Sequence, residues 1–178
     1  MPPVGELVAE YASLLQSCHD MASAVVVVDH YGKTIRTFRA AVRELGDVEA
    51  EIAEGLRGLL VNRDWRQIDL WLNAADERAS AGLVGPLCDL LDVRDRYIQH
   101  EWIAEMLGEI GSARAVRALT DACSFDVSGD TFRSLPRCCL DALAAIGTAE
   151  AMMAVRSQLS SPWSEVSEYA AELLNEEE

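Results

Sequence analysis

The segment WIAEMLGEIG at 102–111, followed by SARAVRAL at 112–119, returns 36 positions later as CCLDALAAIG at 138–147, followed by TAEAMMAV at 148–155. Leu107 pairs with Leu143 and Gly111 with Gly147 at that spacing, and a shortened third copy at 166–175 puts Glu172 and Leu174 in the places of Glu105 and Leu107. A period of this length marks a supersecondary unit that cannot bury its apolar face alone and does so by stacking on its neighbours. Within each unit two apolar stretches of helical period flank a Gly followed by Ser or Thr, the order in which a helix C-cap and the next N-cap occur. Each unit therefore reads as a helical hairpin, and the chain as all-α.

The same signals predict helices near 79–92, 95–110, 112–124, 133–146, 148–160 and 162–175. Ser161 and Pro162 open the last of these, with Ser as N-cap and Pro at the first helical position. Upstream, 64–73 reads as an earlier inner helix, and Leu45, Gly46 and Asp47 as a turn between helices at about 33–45 and 47–61. The four valines at 25–28 have strand propensity, but a lone strand of that length has nothing to pair with. They are read as the end of an N-terminal helix.

Three stretches carry a resemblance to a known family: Leu90, Leu91 and Asp92 closing one helix, Asp95, Arg96 and Tyr97 opening the next, and AEMLGEIGSARAVRAL at 104–119. They resemble HEAT repeats, especially the HEAT-like type of phycobilisome-lyase proteins. The likeness is good over about 79–160, weaker to 175 and poor before 60. It implies an α-solenoid, a right-handed stack of about four to five HEAT-like hairpins in which the second helix of each pair lines the concave side. On that pattern residues 1–178 form a single domain, with divergent helices at 1–60, clearer repeats at 61–175 and an acidic tail at 176–178. The family includes bilin lyases, a di-iron hydroxylase, DNA glycosylases and many scaffolds, so it speaks to fold and leaves function to the surface.

Charge narrows that choice. The chain carries 30 Asp and Glu against 15 Lys and Arg, a formal net charge of −15. A protein that grips nucleic acid must supply cations to its phosphates, and this chain repels polyanions and anionic membrane surfaces instead. A glycosylase role, which needs a basic concave groove, is excluded on that ground. On a helical wheel of 95–110, Ile103, Leu107 and Ile110 form the core centre, Ile98, Trp102 and Met106 a second apolar stripe, and Glu101, Glu105 and Glu109 a narrow acidic sector.

Sliding the repeat by 36 aligns Asp69, Glu105 and Asp141, with Glu172 added by the third copy, and puts Arg137 and Glu168 on the register of Glu101. This predicts an acidic ladder on the inner face and a partner with a basic or neutral surface. Trp65, Trp71, Trp102 and Trp163 fall on or near the same helices; Trp102 is the candidate anchor, because aromatic side chains bury much area at interfaces. The stretch 125–133 is longer than the turn at 92–95, as an insertion at a binding edge would be, but Asp126, Ser128 and Asp130 lack the spacing of a calcium loop.

Enzymatic readings find less support. His100 and Glu101 look like the His-Glu dyad of the HEAT-repeat hydroxylase, in which several dyads converge on two irons, yet here the next repeat offers Pro136 and a metal centre is not expected. Five scattered cysteines read as buried free thiols, with the vicinal pair Cys138 and Cys139 pointing to different faces of a helix. There is no Gly-rich phosphate loop, no GxSxG elbow and no Cys/His nucleophile pair. The first residues lack a basic leader and the most hydrophobic run, 24–28, is far too short to cross a bilayer, so a cytoplasmic protein without membrane contact is expected. Together these features point to non-enzymatic binding of another protein through an acidic concave face, without a cofactor. An inhibitor or immunity protein for a bacterial toxin nuclease is one form of this, its carboxylates standing in for phosphates. The alternative is a bilin lyase-like subunit or assembly factor acting on a chromophore protein.

Overall fold

The computed structural model describes residues 3–18, 24–125 and 133–175, and every regular element among them is helical. The chain packs as two compact units, Met1–Leu83 and Val84–Glu178. No helix of the described residues is long and apolar enough to cross a membrane.

The first unit holds α1 (Val4–Cys18), α2 (Ala24–Glu44), α3 (Glu49–Asn62) and α4 (Ile68–Glu77). Apolar residues recurring at helical spacing, among them Val4 and Val8, Phe38 and Val42, Ile52 and Leu56, and Leu72, are withdrawn from water into one core. Tyr11 meets Phe38 edge-on with ring centroids 5.4 Å apart. At the N-terminus of α1 the Val4 N–H donates to Glu51 Oε2 of α3 at 2.8 Å, so a side chain from another helix satisfies one of the donors that a helix start leaves open. At the other end of α2, the bend at 45–47 falls where the sequence places it, and the Arg78 guanidinium donates to the carbonyls of Arg43, Leu45 and Gly46. It satisfies acceptors that the helix leaves open and puts a cation on the negative end of its dipole. Arg39 reaches Asp76 at 2.6 Å and Glu77 at 2.9 Å, and Arg43 reaches Glu77 at 2.7 Å, tying α2 to α4. The hydrogen bond from Arg43, outweighing burial, holds the Glu77 carboxyl below its usual range.

Two expectations are corrected in this unit. The valines at 25–28 belong to the start of α2 (Ala24–Glu44) and not to the end of the helix before it. The helix expected at 64–73 is preceded by a single 3-10 turn at Trp65–Gln67, where Asp64 accepts the Arg66 N–H, and then runs to Glu77 because no Gly or Pro interrupts it.

The Trp71 indole lies flat against α3 at Gly55, where an added Cβ would stand 2.3 Å from the ring. Gly58, one turn on, has open space. Gly55→Ala is expected to cost about 1–2 kcal/mol through overpacking and to shift Trp71 fluorescence, while Gly58→Ala adds about 0.5–1 kcal/mol through helix propensity alone. Urea unfolding of both variants separates the two effects; equal responses would sink the Gly55 contact.

The second unit holds α5 (Val84–Leu91), α6 (His100–Ile110), α7 (Val116–Ala122), α8 (Ser134–Ile146), α9 (Ala149–Ser157) and α10 (Ser164–Asn175). Here α5, α7 and α9 pack side by side in one layer and α6, α8 and α10 in another, with the core of Leu87, Ile103, Leu107, Leu119, Leu140, Leu143 and Val155 between them. The expected hairpin joints are present. Gly111 (φ 67°) closes α6 in the left-handed region, and Ser112 caps the following turn by accepting the Arg114 N–H at 3.4 Å. Gly147 (φ 62°) closes α8, and Thr148 caps α9 by accepting the Ala151 N–H at 3.2 Å. A side chain other than hydrogen is strained at such a φ, which is why glycine recurs there.

The helix boundaries move inward from those expected. The first turns at 81–83 and 113–115 and the last at 158–160 are 3-10, so the regular helices start at Val84 and Val116 and end at Ser157. α10 begins at Ser164, after Ser161 and Pro162, with the Ser161 hydroxyl accepting the Trp163 N–H at 3.4 Å. The largest shift is at α6, which begins at His100 and not at 95. Asp95 turns the chain by accepting the Tyr97 N–H at 3.1 Å, and Ile98, placed on the helix by its spacing, is buried from this turn instead.

His100 is buried and donates from Nε2 to the Val93 carbonyl at 2.7 Å, with its ring edge-on to Phe125. It staples the 93–99 turn to the start of α6. His100→Ala leaves a carbonyl without its partner and is expected to cost about 1–2 kcal/mol in thermal unfolding; an unchanged Tm would show that the staple contributes nothing. Residues 126–132, most of the proposed binding-edge insertion, and the acidic tail at 176–178 lie outside the described residues.

Candidate functional site

α6 and α8 make the closest helix pair of the second unit, and the reason is one residue. A Cβ on Gly108 would lie 2.8 Å from the Cα of Ala142 and 3.0 Å from its Cβ, so the two backbones meet there as only glycine permits. That approach sets Glu105 and Glu109, one turn apart on α6, against Asp141 on α8. With Gly108, Cys138, Ala142 and Ala145 they line an open groove of about 300 Å³. Small side chains form its floor and three carboxylates its walls.

Among the described residues no ion pair involves Glu101, Glu105, Glu109, Asp141, Glu168 or Glu172. Burial, and then the charges of Glu105, Glu101 and Asp141, push the Cys138 thiol up to about 11, and its Sγ lies 4.0 Å from Glu105 Oε1. At neutral pH it is a protonated thiol, a donor and not a nucleophile. Asp141 accepts the Tyr169 hydroxyl from α10; that hydrogen bond, with burial and the Asp141 charge behind it, pushes the phenol up to about 12. Arg137, the cation that the repeat puts on Glu101's register, lies over the Tyr169 ring at 4.4 Å.

The residues picked from sequence are distributed as follows. Glu105, Glu109 and Asp141 come together in the groove, and Glu101 is half-buried on the same helix with its charge felt at Cys138. Glu168 and Glu172 are exposed on α10 and do not line the groove. Trp102 is half-buried on α6. Asp69 belongs to the first unit, where it is half-buried and accepts the Tyr31 hydroxyl at 2.9 Å. Burial and the Asp69 charge push that phenol well above its ordinary value. Of the other tryptophans, Trp71 is core, Trp65 is half-buried, and Trp163 is half-buried beneath Arg133, whose guanidinium stands 4.2 Å from the ring.

Sequence reading missed Tyr169 and Tyr31. Both donate to aspartates of the same register, but one lies 28 residues after its partner and the other 38 before, so no period in the sequence links them. The two vicinal thiols part as expected: Cys138 is half-buried in the groove and Cys139 is buried. Among the described residues no group of three or more His, Cys, Asp or Glu side chains is arranged to hold a metal ion, and the His100 imidazole is spent on Val93.

What the groove offers chemically is a set of hydrogen-bond acceptors with net negative charge, next to apolar floor atoms. It suits a Lys or Arg side chain whose stem covers the alanines while its head meets the carboxylates. No protein-family model matches the sequence, and no curated protein matches it significantly.

Proposed function

We propose that this chain is a HEAT-like α-solenoid that binds another protein, through a basic surface docked on the carboxylates of its inner helices, and performs no chemistry of its own. The observation that carries this reading is the groove between α6 and α8, where Glu105, Glu109 and Asp141 converge without an ion-pair partner among the described residues. The paired layers and the repeated Gly then Ser or Thr joints support the repeat reading. The net charge of −15 favours a protein partner in the cytoplasm over nucleic acid or a membrane, and would steer a basic partner into fast encounter. An inhibitor of a basic toxin, such as an immunity protein, is the form that best uses so strong a charge.

The test is capture by the tagged full chain from host extract at low salt, followed by elution with rising salt. The expected result is one basic protein held in one-to-one amount and released as ionic strength screens the contact. Retention of acidic proteins only, retention indifferent to salt, or no retention would overturn the reading.

A further inference from the structure

α9 and α10 are the last described helices of the two layers in the second unit. On α6 the stripe His100, Ala104 and Leu107 is buried and lies beside Gly108, the residue that meets Ala142 of α8. It is the side of the helix that the next one in the layer covers. The repeat puts Pro136, Leu140 and Leu143 on the same side of α8, and all three are buried. On α10 it puts Ser167, Ala171 and Leu174 there, opposite Tyr169 on a helical wheel, and these are only half-buried. The other layer follows the same pattern. Val116 of α7 and Cys123 at its end are buried, but their equivalents one repeat on are half-buried Met152 and Leu159, which is 46% exposed. Positions that the earlier copies cover are thus partly uncovered along one side of the unit, where a repeat that closes a solenoid carries polar residues.

We propose that this face is the contact between two copies of the chain, joined tail to tail about a twofold axis. Identical surfaces that meet across such an axis must be self-complementary, and the two stripes satisfy that condition. With α10 antiparallel to its equivalent, Leu174 of one copy lies over Ser167 of the other, large on small, with the alanines at 170 and 171 nearest the axis. In the other layer Met152 of one copy faces Leu159 of the other in the same way. Both layers then run on from one copy into the next as they do from repeat to repeat. Charge favours the same face. The chain carries −15, so self-association needs a surface without carboxylates, and the stripes have none; Glu168 and Arg156 stand exposed at their edges. Repulsion between two such chains is long-range, so added salt strengthens this contact, the opposite of its effect on a basic partner in the groove. The groove between α6 and α8 stays free in each copy.

Sedimentation equilibrium of the full chain at rising concentration tests this. The expected mass climbs from 19.5 kDa to twice that value and no further, and reaches it at lower concentration when salt is raised. Ala171→Glu sets two carboxylates beside the axis, and Leu159→Lys puts an ammonium group from each copy into the contact. Each variant is expected to stay a monomer over the range in which the parent dimerises. Met153→Lys is the control, since Met153 is 62% exposed on α9 but lies off the stripe, and it should dimerise like the parent. Circular dichroism checks that the variants are folded, and Leu159→Lys, at a site already exposed, decides the matter if Ala171→Glu does not fold. A monomer at every concentration, growth past the dimer, association that salt dissolves, a dimer that survives Leu159→Lys, or one that Met153→Lys abolishes equally would each overturn the proposal.

Discussion

Gly108→Val is expected to lower the unfolding free energy by about 3 kcal/mol, a drop in Tm of roughly 6–12 °C for a chain of this size. The cost has one origin. Already the first atom of any side chain at 108 would stand 2.8 Å from the Ala142 Cα, a backbone atom that cannot swing aside as a side chain could. Valine adds two methyl groups at the same point, and the small gain in helix propensity over glycine offsets only a few tenths of the loss. α6 and α8 must separate, and the side chains packed beneath their contact lose part of their packing. Gly108→Ala should fall between the wild type and the valine variant. Guanidinium unfolding followed by circular dichroism decides the matter, and a Gly108→Val protein as stable as the parent would show that the helices do not meet there. Because the same approach shapes the groove, both variants should also weaken partner binding in proportion to the stability lost.

Glu105→Lys combined with Asp141→Lys should leave folding intact and weaken binding of a basic partner by about 100-fold or more at low salt. Both residues are exposed and neither forms an ion pair, so reversal breaks only two folded-state contacts near the surface, the Tyr169 hydroxyl bond to Asp141 and the 4.0 Å approach of the Cys138 thiol to Glu105. Like charges facing each other in a partly desolvated groove cost several kcal/mol at close range, which is the origin of the expected factor. The control is Asp89→Lys with Glu150→Lys, exposed carboxylates of α5 and α9 in the other layer, which change net charge by the same amount. If the control weakens binding as much, attraction is a property of the whole chain and the groove has no special part. If neither pair matters, the carboxylates are solvated surface and the binding proposal fails.

How far the sequence could be read depends on the range of the interaction concerned. The joints at Gly111 with Ser112 and Gly147 with Thr148 were legible because capping is made by neighbours a few residues apart. The start of α6 was misplaced by five residues because the competing turn is stabilised by His100 reaching back to Val93 and by Phe125 behind it, contacts that no helical period encodes. The valines at 25–28 belong to a different helix from the one expected because an apolar run alone does not say whether it ends one helix or opens the next. In the groove, Glu105 and Asp141 were found by register. Cys138 as its wall, Tyr169 as the donor to Asp141 and Gly108 as its floor were not, since each depends on which faces of two helices meet.

By itself the sequence determined that the chain is helical, where its helices are joined by glycine and a hydroxyl, and that it carries an excess of acid that a basic surface would answer. Those properties follow from local backbone preference, capping and summed charge, none of which needs a partner segment. The tertiary structure alone decided which carboxylates share a groove, which cation is drawn off onto an aromatic ring, and which of the two vicinal cysteines is buried. These depend on distances between segments far apart in the chain, set by how closely α6, α7, α8 and α10 can pack, and that closeness turns on a missing Cβ at Gly108.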